Sequence, residues 1–371
     1  MQAKFSSQAK HTAWLTAFTA LSATILAAPA QAQSSVTLYG IVDLSVENVK
    51  GTASVSRVSS GNLSGSRLGV KGSEDLGSGL RANFMLETGV RADTGASNGA
   101  TAATATDRFW DRQSWVGLNS ASLGELRLGR TDSSLGLFVD RVGTQAYDDL
   151  TLAGTRGANA YRRVDNAITY LIPAVVPGLT GQLQYALAGV GYNAAGAIVN
   201  TIAGAETSAN DSGKVWSANL AYTTGPFAAA VAYLRATDES RALAGHQNGK
   251  AAFGMASWDF TVLKLTGYYN IETGVGPDRL ETLGGKLAVP FGPAFTLTGG
   301  VSRTKGTTAA ANDKDGLWIY SLKGTYALSK RTTAYAWLVN VDNDAKATKG
   351  VVATAAGLTS RGIAVGLRHN F

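Results

Sequence analysis

The sequence predicts an all-β fold: a transmembrane antiparallel β-barrel of sixteen strands, with short periplasmic turns and long extracellular loops. Three observations lead there. Apolar and polar residues alternate with period two, as in strands that show one face to an apolar medium and the other to water. The connections between these segments are alternately short and long. The composition is 45% hydrophobic and only 16% charged over 371 residues, with 44 glycines and no cysteine. Soluble domains carry about 25% charged residues and about 7% glycine. Disorder needs the opposite balance, high charge with low hydrophobicity, and without cysteine there is no disulfide scaffold or thiolate metal site.

Residues 1–32 read as an export signal, and residues 33–371 as one barrel domain. Lys4 and Lys10 form a positive start, Ala13 to Ala28 an apolar run, and Ala30-Gln31-Ala32 a small-residue cleavage site. The apolar run is shorter than a membrane-spanning helix and ends at Pro29. Removing both lysines with the leader lowers the formal charge from +7 to +5. Exported soluble domains often use disulfides, so a chain without cysteine must draw its stability elsewhere. A closed barrel pairs every backbone group.

The first segment shows Val36, Leu38, Val42, Leu44 and Val46 on one face, against Thr37, Tyr39, Asp43, Ser45 and Glu47 on the other. Similar segments begin near residues 65, 79, 112, 124, 163, 179, 214, 226, 250, 261, 279, 294, 317, 331 and 361, which with the first makes sixteen. Short connections fall at Glu74–Ser78, Ser120–Gly124, Pro173–Gly178, Thr223–Pro226, Trp258–Phe260, Pro290–Pro293 and Leu328–Lys330. Five of the six prolines after the leader lie in these turns, and Pro277 lies in a long loop. Proline cannot donate to a sheet ladder, so its absence from the strands supports the boundaries. Tyr170, Tyr222, Phe227, Trp258, Phe260, Phe291, Tyr326 and Phe371 gather at the short-turn ends, as a girdle at a membrane interface would. The last segment alternates through Ile363, Val365, Leu367 and His369 to Phe371, an ending that looks like the signal read by outer-membrane assembly machinery.

Alternation also assigns the charges. With Leu68 and Val70 toward lipid, Arg67 and Lys71 face inward; with Leu80, Ala82, Phe84 and Leu86 toward lipid, so do Arg81 and Glu87. The same rule turns Asp43, Glu47, Arg127, Lys264, Lys286, Lys323 and Arg368 inward. A lysine or arginine facing lipid at mid-depth costs about 2–4 kcal/mol. A lumen enclosed by sixteen strands is too wide for side chains to fill, so it is an aqueous channel.

Ser35-Val36-Thr37-Leu38-Tyr39-Gly40-Ile41-Val42-Asp43 resembles the opening strand of general Gram-negative porins of the β-proteobacterial branch. So do the stretch from Ser66 to Gly77, Leu123-Gly124 leading to Leu128-Gly129-Arg130, and Leu367-Arg368-His369-Asn370-Phe371. The resemblance implies a homotrimer, a third long loop folded into each pore, diffusion of small hydrophilic solutes, and no cofactor. It also implies a constriction where wall arginines face loop acids. Arg67 matches the wall position directly, and Arg112 and Arg163 match it by their place in the barrel. Asp140, Asp148 and Asp149, within residues 131–161, are the loop candidates; the Pro-Glu-Phe-Gly-Gly motif of some enterobacterial relatives is absent.

The expected function is therefore an outer-membrane porin passing small solutes and ions, with weak anion preference because the inward charges are mostly basic. Its expected surroundings are lipid and lipopolysaccharide, with no nucleic-acid partner. A substrate-specific uptake channel is the alternative. An enzyme would need a base beside a nucleophile, yet His246 and His369 are the histidines left after the leader, and neither has a carboxylate near it in sequence. A purely structural or adhesive barrel would have no need of inward charges.

Overall fold

The computed structural model describes residues 35–97, 109–137, 162–187, 191–192, 198–199, 214–237, 249–273, 279–307 and 316–371, apart from 349 and 353. The leader 1–32, His246 and the three loop acids Asp140, Asp148 and Asp149 lie outside these residues. Among the described residues, sixteen long strands run in chain order. They are β1 (Ser35–Lys50), β2 (Arg67–Gly77), β3 (Leu80–Arg91), β4 (Gln113–Ser120), β5 (Gly124–Asp132), β6 (Arg163–Leu171), β7 (Leu179–Ala186) and β8 (Lys214–Thr224). The second half comprises β9 (Phe227–Thr237), β10 (Gly249–Asp259), β11 (Lys264–Thr273), β12 (Arg279–Phe291), β13 (Phe295–Thr307), β14 (Leu317–Ala327), β15 (Thr332–Asn343) and β16 (Ser360–Asn370). Each strand pairs antiparallel with the next, and β16 returns to β1 through Ile41–Lys50 against Arg361–Asn370. The barrel is closed.

The outward positions are apolar and exposed: Val36, Leu38 and Val46 on β1, Val116 and Leu118 on β4, Ile363 and Val365 on β16. Their inward neighbours Asp43, Ser45, Glu47 and Ser360 are polar and buried. That inversion of a soluble protein's pattern places lipid outside and water inside. The girdle lies where the turns place it. Phe227, Trp258 and Phe260 form a chain with centroids 6.2 Å apart, and Phe291 meets Phe295 at 5.8 Å. A second belt, not foreseen, lies toward the long loops: Tyr185 packs on Trp216 at 4.2 Å, and Trp318 stacks on Tyr320 at 6.0 Å. On β8, Trp216 and Tyr222 are six residues apart, about 20 Å of strand.

Small corrections concern boundaries. Arg112 precedes β4 rather than opening it, and β11 starts at Lys264, not near 261. Thr261 has φ 72° and Phe260 N donates to Leu263 O at 2.8 Å, so these strand-forming residues make a turn instead. Pro290 lies inside the end of β12, one residue before the turn.

The closing seam depends on Gly40. Phe371 N donates to Gly40 O at 3.1 Å and Gly40 N to Phe371 O at 3.2 Å. A Cβ on Gly40 would lie 2.3 Å from the Phe371 ring and 2.8 Å from Arg67 O. Gly40→Val is therefore expected to lower stability by about 2–3 kcal/mol through overpacking, read as a lower melting temperature of the purified barrel in detergent.

Candidate functional site: the arginine-lined inner wall

The inner wall from β2 to β6 carries a cluster of arginines held by acids of the same wall. Glu87 on β3 is its first anchor. Arg112 Nε lies 2.5 Å from Glu87 Oε1, Arg67 Nη1 3.9 Å from the same oxygen, and Tyr39 OH donates to Oε2 at 2.9 Å. Tyr39 reaches Glu87 by lying across Gly69, its cross-strand partner, where a Cβ would sit 2.4 Å from the ring. The absent side chain at Gly69 is what lets β1 contribute a hydroxyl to β3. Arg67 is steadied further by Nε donating to Gly65 O at 2.9 Å.

Asp132 and Asp165 are the second and third anchors. Arg163 Nε lies 3.0 Å from Asp132 Oδ1, and Gln113 Nε2 donates to Asp132 Oδ2. Arg130 Nη1 lies 2.6 Å from Asp165 Oδ1, and its Nε donates to Asp111 O at 2.6 Å. Arg112, Arg130 and Arg162 all lie close enough to act electrostatically on Arg163. Arg112, Arg130 and Arg163 are thus each held by a carboxylate within a crowded group of like charges.

Arg130 was not foreseen. Leu126 and Leu128 face lipid, and strict alternation would send Arg130 after them. Instead the register slips between Gly129 and Thr131, a β-bulge that re-aims the intervening residue. Gly129 sits at φ 128°, and a Cβ there would lie 2.3 Å from Ser114 O. The available signal was energetic: an arginine on the lipid side would cost about 2–4 kcal/mol, so Gly-Arg there marks a break in alternation.

The other expected wall residues divide by height. Lys71 faces inward but lies four residues nearer the short-turn end than Arg67, about 13 Å along the strand. Arg81 is exposed opposite Asp75, six residues below Glu87. By its register Arg81 stands at the short-turn end and does not share the level of the arginine cluster. Arg127 also faces inward, its Nη2 2.8 Å from Glu125 Oε2. After β5 the chain leaves the wall at its long-loop end: Ser134 N donates to Ser217 Oγ on the inner face of β8 at 3.2 Å, and Gln182 and Gln184 of β7 donate to Asp132 O at 3.2 and 3.3 Å. A segment from β5 that meets β8 across two intervening strands runs inside the barrel.

A closed antiparallel barrel with an apolar exterior, aromatic belts and a charged inner wall defines an outer-membrane channel. The family model described as Gram-negative porin matches residues 17–346. Outer membrane porin protein 32 of Delftia acidovorans is 30% identical, over 92% of this chain and 95% of its own length. An outer membrane porin of Bordetella pertussis is 27% identical, over 95% and 99%. Among solved structures, the anion-selective porin from Comamonas acidovorans aligns with TM-score 0.72 and 26% identity, covering 91% of this chain and 100% of that one. The chain belongs to the Gram-negative porin family and forms a channel in the outer membrane.

Proposed function

We propose that this channel passes small hydrophilic solutes with a preference for anions, set by a constriction of which Arg67, Arg112, Arg130 and Arg163 form the wall. The observation that carries the reading is the surplus of guanidinium groups over the acids that pin them. Arg67 and Arg112 share the single carboxylate of Glu87. Fixed cations beside a narrow aqueous passage raise the local anion concentration and repel cations. The selectivity named for the Comamonas porin supports the same reading. The described start of the third long segment, residues 133–137, turns into the lumen through the bonds of Asp132 and Ser134 to β7 and β8, and Asp140, Asp148 and Asp149, which lie outside the described residues, are the acids proposed to complete the constriction. Lys71 and Arg81 continue the cationic wall below the constriction.

The proposed assembly is a homotrimer. Its support is the asymmetry of the outer face, where β1, β4 and β5 present aliphatic Val36, Leu38, Val116, Leu118 and Leu128 while both aromatic belts, Phe371 apart, lie between β6 and β14. Residues 1–32 serve as a cleaved leader, and Phe371, seated on Gly40, is the group read by the assembly machinery. Lipid and lipopolysaccharide surround the rest. An outer groove of about 490 Å³ over Gly324, Ala334 and Ala336, with Lys50 and Arg361 lining the dent beside it, fits an acyl chain with an anionic head.

The deciding measurement is the zero-current potential of single channels in a potassium chloride gradient. It is expected to lie on the chloride side. A potential on the potassium side would overturn the anion preference while leaving the channel intact.

A further inference from the structure

Directly below the arginine cluster, toward the periplasmic end, the inner wall holds a pocket of about 430 Å³. Two rows of inward residues form it. Thr37, Lys71, Met85 and Trp115 are successive cross-strand partners on β1 to β4, and Ser73, Asn83, Gly117 and Arg127 make the next row down. Neighbouring strands are about 4.8 Å apart, so Lys71 and Trp115 stand about 10 Å apart with Met85 between them. Gly117 has no side chain, and the stem of Arg127 lies over it, 3.0 Å from where a Cβ would be. That path carries the guanidinium back over the Trp115 ring, its Cζ 4.0 Å from the ring centre. Trp115 is held in turn, its Nε1 donating to Gln113 Oε1 at 3.0 Å.

The charges of the pocket do not cancel. Arg127 is paired with Glu125, which also accepts from Asn83 Nδ2 at 3.2 Å. Lys71 forms no ion pair among the described residues; its ammonium rests 5.3 Å from the centre of the Tyr39 ring. The pocket is therefore a single uncompensated cation beside a flat guanidinium surface and the Met85 thioether. Glu125 on one side and Glu87 above repel a second negative charge. Guanidinium planes stack on aromatic rings, and a cation over a π-face adds to the attraction.

We infer that this pocket is a binding site for aromatic monocarboxylates, with the carboxylate on Lys71 and the ring stacked on Arg127 and Met85. A solute drawn through the arginines would pause here before leaving at the periplasmic end. The site gives the channel a discrimination that charge alone cannot make: benzoate is held longer than acetate, though both are monoanions. This inference rests on the channel reading above.

Planar-bilayer recording with the purified channel tests it, using sodium benzoate and sodium acetate added to chloride solutions. Benzoate is expected to interrupt the single-channel current with dwell times at least several-fold longer than acetate. Arg127→Lys keeps the charge but loses the flat surface, and should shorten the benzoate dwell about fivefold relative to acetate. Lys71→Gln should shorten it about tenfold. Equal effects of benzoate and acetate on the wild-type channel, while chloride still conducts, would overturn the site and leave the channel reading standing. Unchanged benzoate dwell in both variants would overturn it too. Failure of the wild-type protein to conduct chloride would instead remove the channel reading itself.

Discussion

Replacing Arg112 by glutamate is expected to move the zero-current potential of the channel from the chloride side toward potassium. The substitution changes the charge facing the lumen by two and leaves Glu87 with the 3.9 Å contact to Arg67 and the hydroxyl of Tyr39. At a distance of about 7 Å in water, each unit of charge acts on a passing ion with about 0.6 kcal/mol. Anion and cation feel it with opposite signs, so before screening the two charges act on their ratio with about 2.4 kcal/mol. At 0.1 M salt the screening length is about 10 Å, which leaves roughly a tenfold change in the permeability ratio. At 1 M salt, where that length is about 3 Å, most of the shift should vanish. Arg112→Gln should give about half the effect. A potential that stays put in 0.1 M salt would remove Arg112 from the constriction. A shift of equal size at both salt concentrations would mean that the pore had changed shape rather than charge.

Arg112 also illustrates how far the sequence could be read. Alternation told which way Arg67, Lys71, Arg81 and Glu87 point, because a wrong facing would be expensive in lipid. It did not tell how high each one stands, because height depends on the stagger between neighbouring strands. So Arg81 and Arg67 were grouped by facing and then separated by their levels. Asp132 and Asp165 were passed over because their partners come from other strands: Asp132 meets Arg163, and Asp165 meets Arg130. Arg130 required a bulge that period-two reasoning does not contain. Glycine had a further use beyond turns, loops and tilted strands. Gly69, Gly72, Gly284 and Gly366 each lie opposite an aromatic residue whose ring covers them. These pairs join residues 12 to 31 positions apart, so nothing local in the sequence marks them.

The largest loss of stability is expected from Asp43→Ala. Asp43 is fully buried on β1, beside the seam where β16 closes the barrel. Its Oδ2 accepts from Leu63 N at 2.8 Å and Ser64 N at 2.5 Å, and its Oδ1 from Tyr335 OH at 2.5 Å. One carboxylate thus ties β1 to β15 and to the end of the first long connection, which turns along the inner wall. Neighbouring bonds reinforce the fastening: Asn62 Nδ2 donates to Glu47 Oε2 at 2.8 Å, and Arg368 Nη1 donates to Ser64 Oγ at 3.1 Å. Alanine strands a buried hydroxyl and two backbone N–H groups, each costing about 1–3 kcal/mol if unpaired. Water entering from the lumen can satisfy some of them, so the net loss should be about 3–5 kcal/mol. Asp43→Asn keeps one good acceptor and should cost about half as much. Tyr335→Phe removes a single donor to a charged group, about 1.5–3 kcal/mol. Thermal unfolding in detergent orders the three, with alanine the least stable and the other two between it and wild type. An Asp43→Ala barrel that melts with the wild type would show that Leu63, Ser64 and Tyr335 find other partners, and that the seam is held by its backbone ladder alone.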